Sequence, residues 1–257
     1  MQRLGDEASG AAAIDYPAQC HEFFAAVQEE SFWFRARNRL VIDLLRRHAG
    51  DLRSLIEVGC GTGFVLQAIH GAFPGARLVG VEPQAEGFAQ AARRLPPAIE
   101  LRDGDVHHID SSETFDAVCA FDVLEHIEAD RAALASLARL ARPGGSIFLT
   151  VPQHPWLWGA PDELARHHRR YRRGELESKA AAAGLDVILS TSFVFALLPA
   201  MLATRRLVPV RAEQEHQLPR ALGAVFERIL DGERRLIGAG CRFPLGGSRV
   251  VVARRRR

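Results

Sequence analysis

From Glu57 to Gly63 the chain reads Glu57-Val58-Gly59-Cys60-Gly61-Thr62-Gly63, with glycines at every second position directly after an apolar run. Glycines so spaced let a backbone turn pass close beneath a ligand, and a helix starting there presents free N–H groups. A second acid, Glu82, closes the apolar run VGVEP just before Pro83. Its carboxylate can accept hydrogen bonds from a ligand, or it can be a solvated acid at the end of a strand. A dinucleotide fingerprint would need glycine where Phe64 stands, and a phosphate-cradling loop would need Gly-Lys-Ser/Thr after the glycines. Both are missing, so nicotinamide and nucleoside triphosphate chemistry fall back. Downstream, Gly104-Asp105-Val106 could be a ligand contact or a plain turn, and Phe121-Asp122-Val123-Leu124-Glu125-His126 follows another apolar run. The segment Pro152–Tyr171 is rich in His, Trp and Arg. Its arginines could hold an anionic acceptor, and His154, His167 or His168 could accept a proton, although each histidine could equally be a loop residue bonded to backbone. His126 is the best-placed candidate base, because it follows a strand aimed at the same edge.

These residues need a scaffold that brings strand ends together. From Arg53 onward short apolar runs alternate with helical patterns, which predicts βαβ units and a parallel sheet. Strands are expected at Ser54–Gly59, ARLVGVEP, AIELRDGDV, FDAVCAFD, Ser146–Pro152, from Asp186, and in SRVVVAR. Helices are expected at 15–28, 38–48, 129–141 and 175–183, and in the amphipathic stretch ALGAVFERILDGERRLIGAG. The helix over 129–141 should end at Pro143-Gly144-Gly145.

With 33 Lys and Arg against 31 Asp and Glu, the formal charge is +2, so a nucleic-acid-coating or disordered chain is not indicated. The hydrophobic share of 47% suits one large domain rather than two. Cys20, Cys60, Cys119 and Cys241 are scattered and form no CxxC pair, which predicts a site without metal. Acidic residues stand where a signal peptide would be apolar, so a cytoplasmic location is expected. Val187–Thr204 carries no charge over eighteen residues, yet its first half reads as a buried strand and Pro199 interrupts the second, which argues against a membrane span.

Glu57-x-Gly59-x-Gly61-x-Gly63 together with Glu82 resembles the class I S-adenosylmethionine-dependent methyltransferase family, in its bacterial small-molecule branch. The resemblance covers roughly Arg53–Pro152. It implies a Rossmann-like seven-stranded α/β sheet with helices on both faces, an N-terminal helical cap (1–50), a main domain (51–257), an acceptor loop (153–174) and a helical insertion (195–246) before the last strand. It also implies S-adenosyl-L-methionine as cofactor. Glu57, Gly59, Cys60, Gly61 and Gly63 would take its methionine end, Glu82 and Pro83 its ribose, and Asp105 and Val106 its adenine, with Asp122 alongside. The segment Phe32-Trp33-Phe34-Arg35-Ala36-Arg37 resembles the family's aromatic cap, with Trp33 near the sulfonium and Arg37 near the carboxylate; a hydrophobic staple explains Trp33 and Phe34 equally well. His126, His154 and Tyr171 are the candidate catalytic residues. The motifs of nucleic-acid methylases are missing, so the expected acceptor is a small or lipid-like molecule.

Methyl transfer is an in-line displacement, which asks mainly for alignment and exclusion of water. The insertion, opening with FVFALLPAM, is read as a wall over the acceptor, ahead of a homodimer contact and ahead of a membrane-surface contact beside Arg205, Arg206 and Arg211. The alternative from another class is a non-catalytic sensor or accessory subunit that binds the same cofactor.

Overall fold

The apolar runs pair into one seven-stranded sheet in the computed structural model, which describes residues 17–107, 109, 112–206 and 219–257. Its strands are β1 (Ser54–Val58), β2 (Arg77–Glu82), β3 (Glu100–Asp103), β4 (Phe115–Phe121), β5 (Ala141–Pro152), β6 (Leu185–Phe193) and β7 (Ser248–Arg255). They lie in the order β3-β2-β1-β4-β5-β7-β6, parallel except that β7 runs antiparallel to both β5 and β6. Side chains alternate across β1, so Ile56 and Val58 join one apolar layer while Leu55 joins the other. The first layer includes Leu134 and Leu137 of α5 (Asp130–Leu140) and Leu176 and Ala180 of α7 (Glu175–Ala182). The second includes Leu40, Leu44 and Leu45 of α2 (Phe32–His48), and Leu66 and Ile69 of α3 (Phe64–Ala72).

Several boundaries differ from the sequence expectation. Helix α1 is Ala18–Val27, and residues 15 and 16 of the expected helix lie outside the described residues. Helix α2 begins at Phe32 rather than Asn38, because Phe34, Val41, Leu44 and Leu45 continue one buried stripe behind the extended Ser31. The helix over 129–141 stops at Leu140 without the aid of Pro143-Gly144-Gly145. Strand β5 starts at once, with Ala141 opposite Phe115, and the register shifts between Phe115 and Ala117. Between β2 and β3 stands α4 (Ala85–Arg94), which the sequence reading did not assign.

The uncharged stretch Val187–Thr204 is divided between β6 and α8 (Leu198–Arg206). Pro199 lies in the first turn of α8, where a missing N–H costs no hydrogen bond, so it helps begin the helix instead of interrupting it. Among the described residues no helix is long and apolar enough to cross a membrane. Helix α9 (Arg220–Gly238) tolerates three glycines because it lies along α2, tied by Arg39 to Glu227 at 2.8 Å and to Asp231 at 2.9 Å. From α9, the buried Glu233 accepts the N–H groups of Phe195 and Ala196, each at 3.1 Å, and so anchors the chain where it enters α8.

The loop over 153–174 is closed by a buried polar cluster. Asp130, at the start of α5, accepts from the Tyr171 hydroxyl at 2.7 Å and from Lys179 Nζ at 2.6 Å, with Arg169 at 3.1 Å. Tyr171 is wholly buried and its neighbour Gln153 bridges to it, so the two ends of the loop meet here. Tyr171→Phe is expected to cost about 1.5–3 kcal/mol, the range for a hydrogen bond to a charged group, and Asp130→Ala more, because it removes the acceptor that Tyr171 and Lys179 share and leaves Lys179 only Glu175 at 2.7 Å. Urea unfolding of the two variants checks the ranking; equal stability of Tyr171→Phe and the parent would show that the hydroxyl does not hold the loop.

Candidate active site

A cavity of about 500 Å3 opens at the carboxyl ends of β1, β2 and β4, where the strand order reverses between β1 and β4. Its floor is the turn from β1 into α3. Gly59 has φ +72, and a Cβ there would meet Val123 Cγ2 at 2.6 Å, so a side chain would push the turn away from the segment that follows β4. Gly61, at φ +54, has nothing within 4 Å of a Cβ position, which leaves open space above the turn. The turn is fastened to β2 through Glu82, which accepts the Gly61 N–H at 2.8 Å and the Gln84 N–H at 3.1 Å. Gln84 in turn lies 2.7 Å from His21 of α1.

Two carboxylates lie buried in this floor. Glu57 is 2% exposed, and its Oε2 has no hydrogen-bond partner among the described residues. Burial pushes its carboxyl up to about 8, opposed by Arg37 and assisted by Glu82. Burial also raises Glu82, while His21 and the two backbone N–H groups pull it down. Burial likewise pushes the Cys60 thiol up, so it is a neutral lining residue.

The roof comes from α1 and α2. Arg37 donates to Asp122 at 2.5 Å, and its guanidinium lies 4.6 Å from the Trp33 ring centroid and 5.2 Å from that of Phe34. Asp122 has φ 56, a left-handed conformation fixed by Thr150, whose hydroxyl donates to it at 3.1 Å and whose carbonyl accepts its N–H at 2.9 Å. Gln28, at the C-terminal cap of α1, accepts from Thr62 at 2.5 Å and from Arg94 at 2.9 Å, which clamps α1 onto the glycine turn.

Trp33, Arg37, Glu57, Gly59, Cys60, Gly61, Glu82, Asp122 and His126 all line the cavity. Gly63, Pro83, Asp105 and Val106 do not. Gly63 instead caps α3, Val106 is packed in the core, and Asp105 accepts the His107 N–H at 2.7 Å as a turn residue does. His154 and Tyr171 also lie off the cavity. His154, with φ 64, is buried and stacked 4.9 Å from Trp156, while Tyr171 is spent on Asp130. The structure thus does not bring these two expected catalytic residues to the cavity lining. His126 does reach the cavity, but burial and the neighbouring His167 and His168 push its pKa down to about 3, so the ring is neutral and a weak base.

The insertion does line the cavity, through Leu197, Met201, Thr204 and Arg205 near and within α8 and through Leu222 and Phe226 of α9. Arg205 faces inward, 3.3 Å from Asp162, with its side chain only 7% exposed, and so is not a surface cation for a membrane. The Arg206 side chain and Arg211 lie outside what is described. Sequence reasoning missed His21, Glu125 and Asp162. His21 has no local signal, Glu125 had one in its place beside His126, and Asp162 became visible only through its partners.

A family described as "Methyltransferase domain" matches residues 28–190. A Mycolicibacterium smegmatis protein named "Probable S-adenosylmethionine-dependent methyltransferase" is 27% identical over 62% of this chain and 61% of its own length. The ubiquinone biosynthesis O-methyltransferase of Rhodopseudomonas palustris is 32% identical over 40% of this chain and 41% of its own. The chain thus spans about half the length of the curated relatives it matches. Among solved structures, a Haemonchus contortus phosphoethanolamine N-methyltransferase in complex with S-adenosyl-L-methionine superposes with a TM-score of 0.58 at 16% identity, over 86% of this chain and 53% of that one, which shows a common fold. The family match covers most of the chain and the glycine turn and Glu82 stand where the fold requires them: the protein belongs to the class I S-adenosylmethionine-dependent methyltransferase family.

Proposed function

We propose that this protein transfers a methyl group from S-adenosylmethionine to a small or lipid-like acceptor. The observation that carries the reading is that one cavity joins the Glu57–glycine–Glu82 floor to an apolar wall made by α8 and α9. The floor fits the cofactor on its own chemistry. Glu57 offers a buried oxygen without a partner, the space over Gly61 is clear, and Glu82 stands beside it as a paired acceptor.

In this reading Glu57 receives the methionine ammonium and Glu82 the ribose hydroxyls, while Arg37, held on Trp33 and Asp122, meets the carboxylate. When bound, the cofactor supplies a sulfonium methyl open to in-line attack. The protein's contribution is to align the acceptor and keep water out, which Phe24, Trp33, Phe226 and Met201 do by lining the cavity with apolar surface. The apolar wall suits an acceptor with a lipid-like or aromatic portion. His167 and Arg170 provide the polar side for its reacting end.

Two outcomes test the cofactor half. S-adenosylhomocysteine at 100 times its Kd should add about 2.7 kcal/mol, raising Tm by roughly 5–10 °C, and Gly61→Arg should abolish the shift by filling the clear space; since Gly61 has φ +54, the variant's own unfolding transition is recorded beside it to show that it is folded. The second outcome follows from Glu57. Its carboxyl is protonated at pH 7 because its pKa sits at about 8, and an ammonium beside it favours the charged form. Binding at pH 7 should therefore release about one proton, a release that fades as pH rises through 8. Calorimetry in buffers of differing ionisation enthalpy measures it, and Glu57→Gln should remove it.

The acceptor half is tested with methyl-labelled S-adenosylmethionine and an extract of the source cells, with Gly61→Arg as the blank. Label entering the organic phase above the blank supports a lipid-like acceptor, and aqueous label a soluble one. Binding without labelling in either phase would overturn catalysis in favour of a sensor or accessory subunit.

A further inference from the structure

A second group of donors faces the same cavity and is not used by the cofactor floor. Glu125 and His126 end the single 3-10 turn Leu124–His126 that follows β4, and His167 arrives from the acceptor loop. One donor atom from each lies within 4.8 Å of the other two. Glu125 is completely buried, and neither of its carboxylate oxygens has a hydrogen-bond partner among the described residues. A buried carboxyl without a partner costs several kcal/mol of about the size set by lost hydrogen bonds, so its retention points to a ligand. Arg170, whose charge reaches Glu125, directs Nε to Asp162 at 2.7 Å and Nη1 to the Gln153 carbonyl at 3.1 Å. It does not satisfy Glu125.

The two imidazoles are oriented from behind. Asp162 Oδ1 lies 2.8 Å from Nδ1 of His167, and Asp162 is itself wholly buried. His126 hydrogen-bonds the backbone of Ala165 and packs edge-on against His167, with ring centroids 4.7 Å apart. A carboxylate behind one histidine and a backbone group behind the other are the supports that fix the tautomer and direction of metal-bound imidazoles.

We propose that Glu125, His126 and His167 bind a divalent transition-metal ion at the acceptor end of the cavity. Two imidazole nitrogens and one carboxylate oxygen suit zinc, cobalt, manganese or iron rather than calcium. Three protein donors leave coordination positions open toward the cavity, where an acceptor oxygen can bind. That last role rests on the methyltransferase reading; the ion site itself does not. The site differs from the metal-free expectation drawn from the cysteine pattern: it uses no cysteine, and His167 joins the adjacent Glu125 and His126 only in the fold.

The test uses the full chain, stripped with a chelator and titrated with cobalt(II) while visible absorption is recorded, with S-adenosylhomocysteine affinity measured on the same samples. The expected result is one equivalent of cobalt, displaced by zinc. Glu125→Gln and His167→Asn should each lose saturable binding, and Asp162→Asn should weaken it about 10–100-fold, the usual effect of removing a supporting partner. Unchanged S-adenosylhomocysteine affinity in Glu125→Gln and His167→Asn shows that the cavity is still formed. Failure of the parent to bind cobalt, or equal cobalt affinity in those two variants, overturns the site while leaving the cofactor reading intact. Cobalt bound by a parent that does not bind S-adenosylhomocysteine would support the site and sink the methyltransferase reading alone.

Discussion

The buried carboxylate of Asp162 holds together the part of the cavity that the sheet does not supply. It accepts from Arg170 Nε, faces His167 Nδ1, lies within ion-pair distance of Arg205 from α8, and caps the Gly159 N–H at 2.9 Å. Acceptor loop and insertion are far apart in sequence, and this one group ties both. Two guanidiniums with side chains 4% and 7% exposed could not remain there without a negative partner. The wall over the cavity is thus specified by electrostatics, whereas the sheet beneath is specified by apolar burial.

That difference explains what the sequence disclosed. Strands β1, β2 and β4 are short apolar runs with turn residues on both sides, so local composition finds them to within a residue or two. The glycine turn is legible for the same reason: Gly59 and Gly61 act through their own backbone, and their spacing is the signal. Helix α2 begins six residues before the expected Asn38, because Phe32–Arg37, which reads as a ligand cap, also continues the helix's buried stripe through Phe34. One set of residues serves both ends, since Arg37 sits on the Trp33 face and reaches Asp122 from a helical position.

The acceptor side was legible only as a region. Its histidines look alike in sequence, and their fates depend on their partners. His154 is buried beneath the exposed ring of Trp156, while His167 is drawn to the cavity by Asp162. Tyr171 reads as a candidate acid or base by residue type, but Asp130, supplied by another helix, makes it a tie between loop ends. The partner of Tyr171 stands 41 residues away and has no local signal, whereas the histidines' partners are near in sequence, but residue type alone does not say which imidazole turns to the cavity.

What the fold leaves unsatisfied is the more direct guide. The central strands β1 and β4 each deliver a carboxyl group to the same crevice, Glu57 from within β1 and Glu125 just past β4, and both are buried with an oxygen lacking a partner among the described residues. A chain selected for stability alone would replace such groups or pair them, as it pairs Asp116, Asp130 and Asp162. Their position at the switch point of the sheet, where ligands of this architecture bind, makes the two vacant acceptors complementary to positive charge from outside the chain. An ammonium at Glu57 and a metal ion at Glu125 would satisfy both, each with a charge the protein itself does not carry.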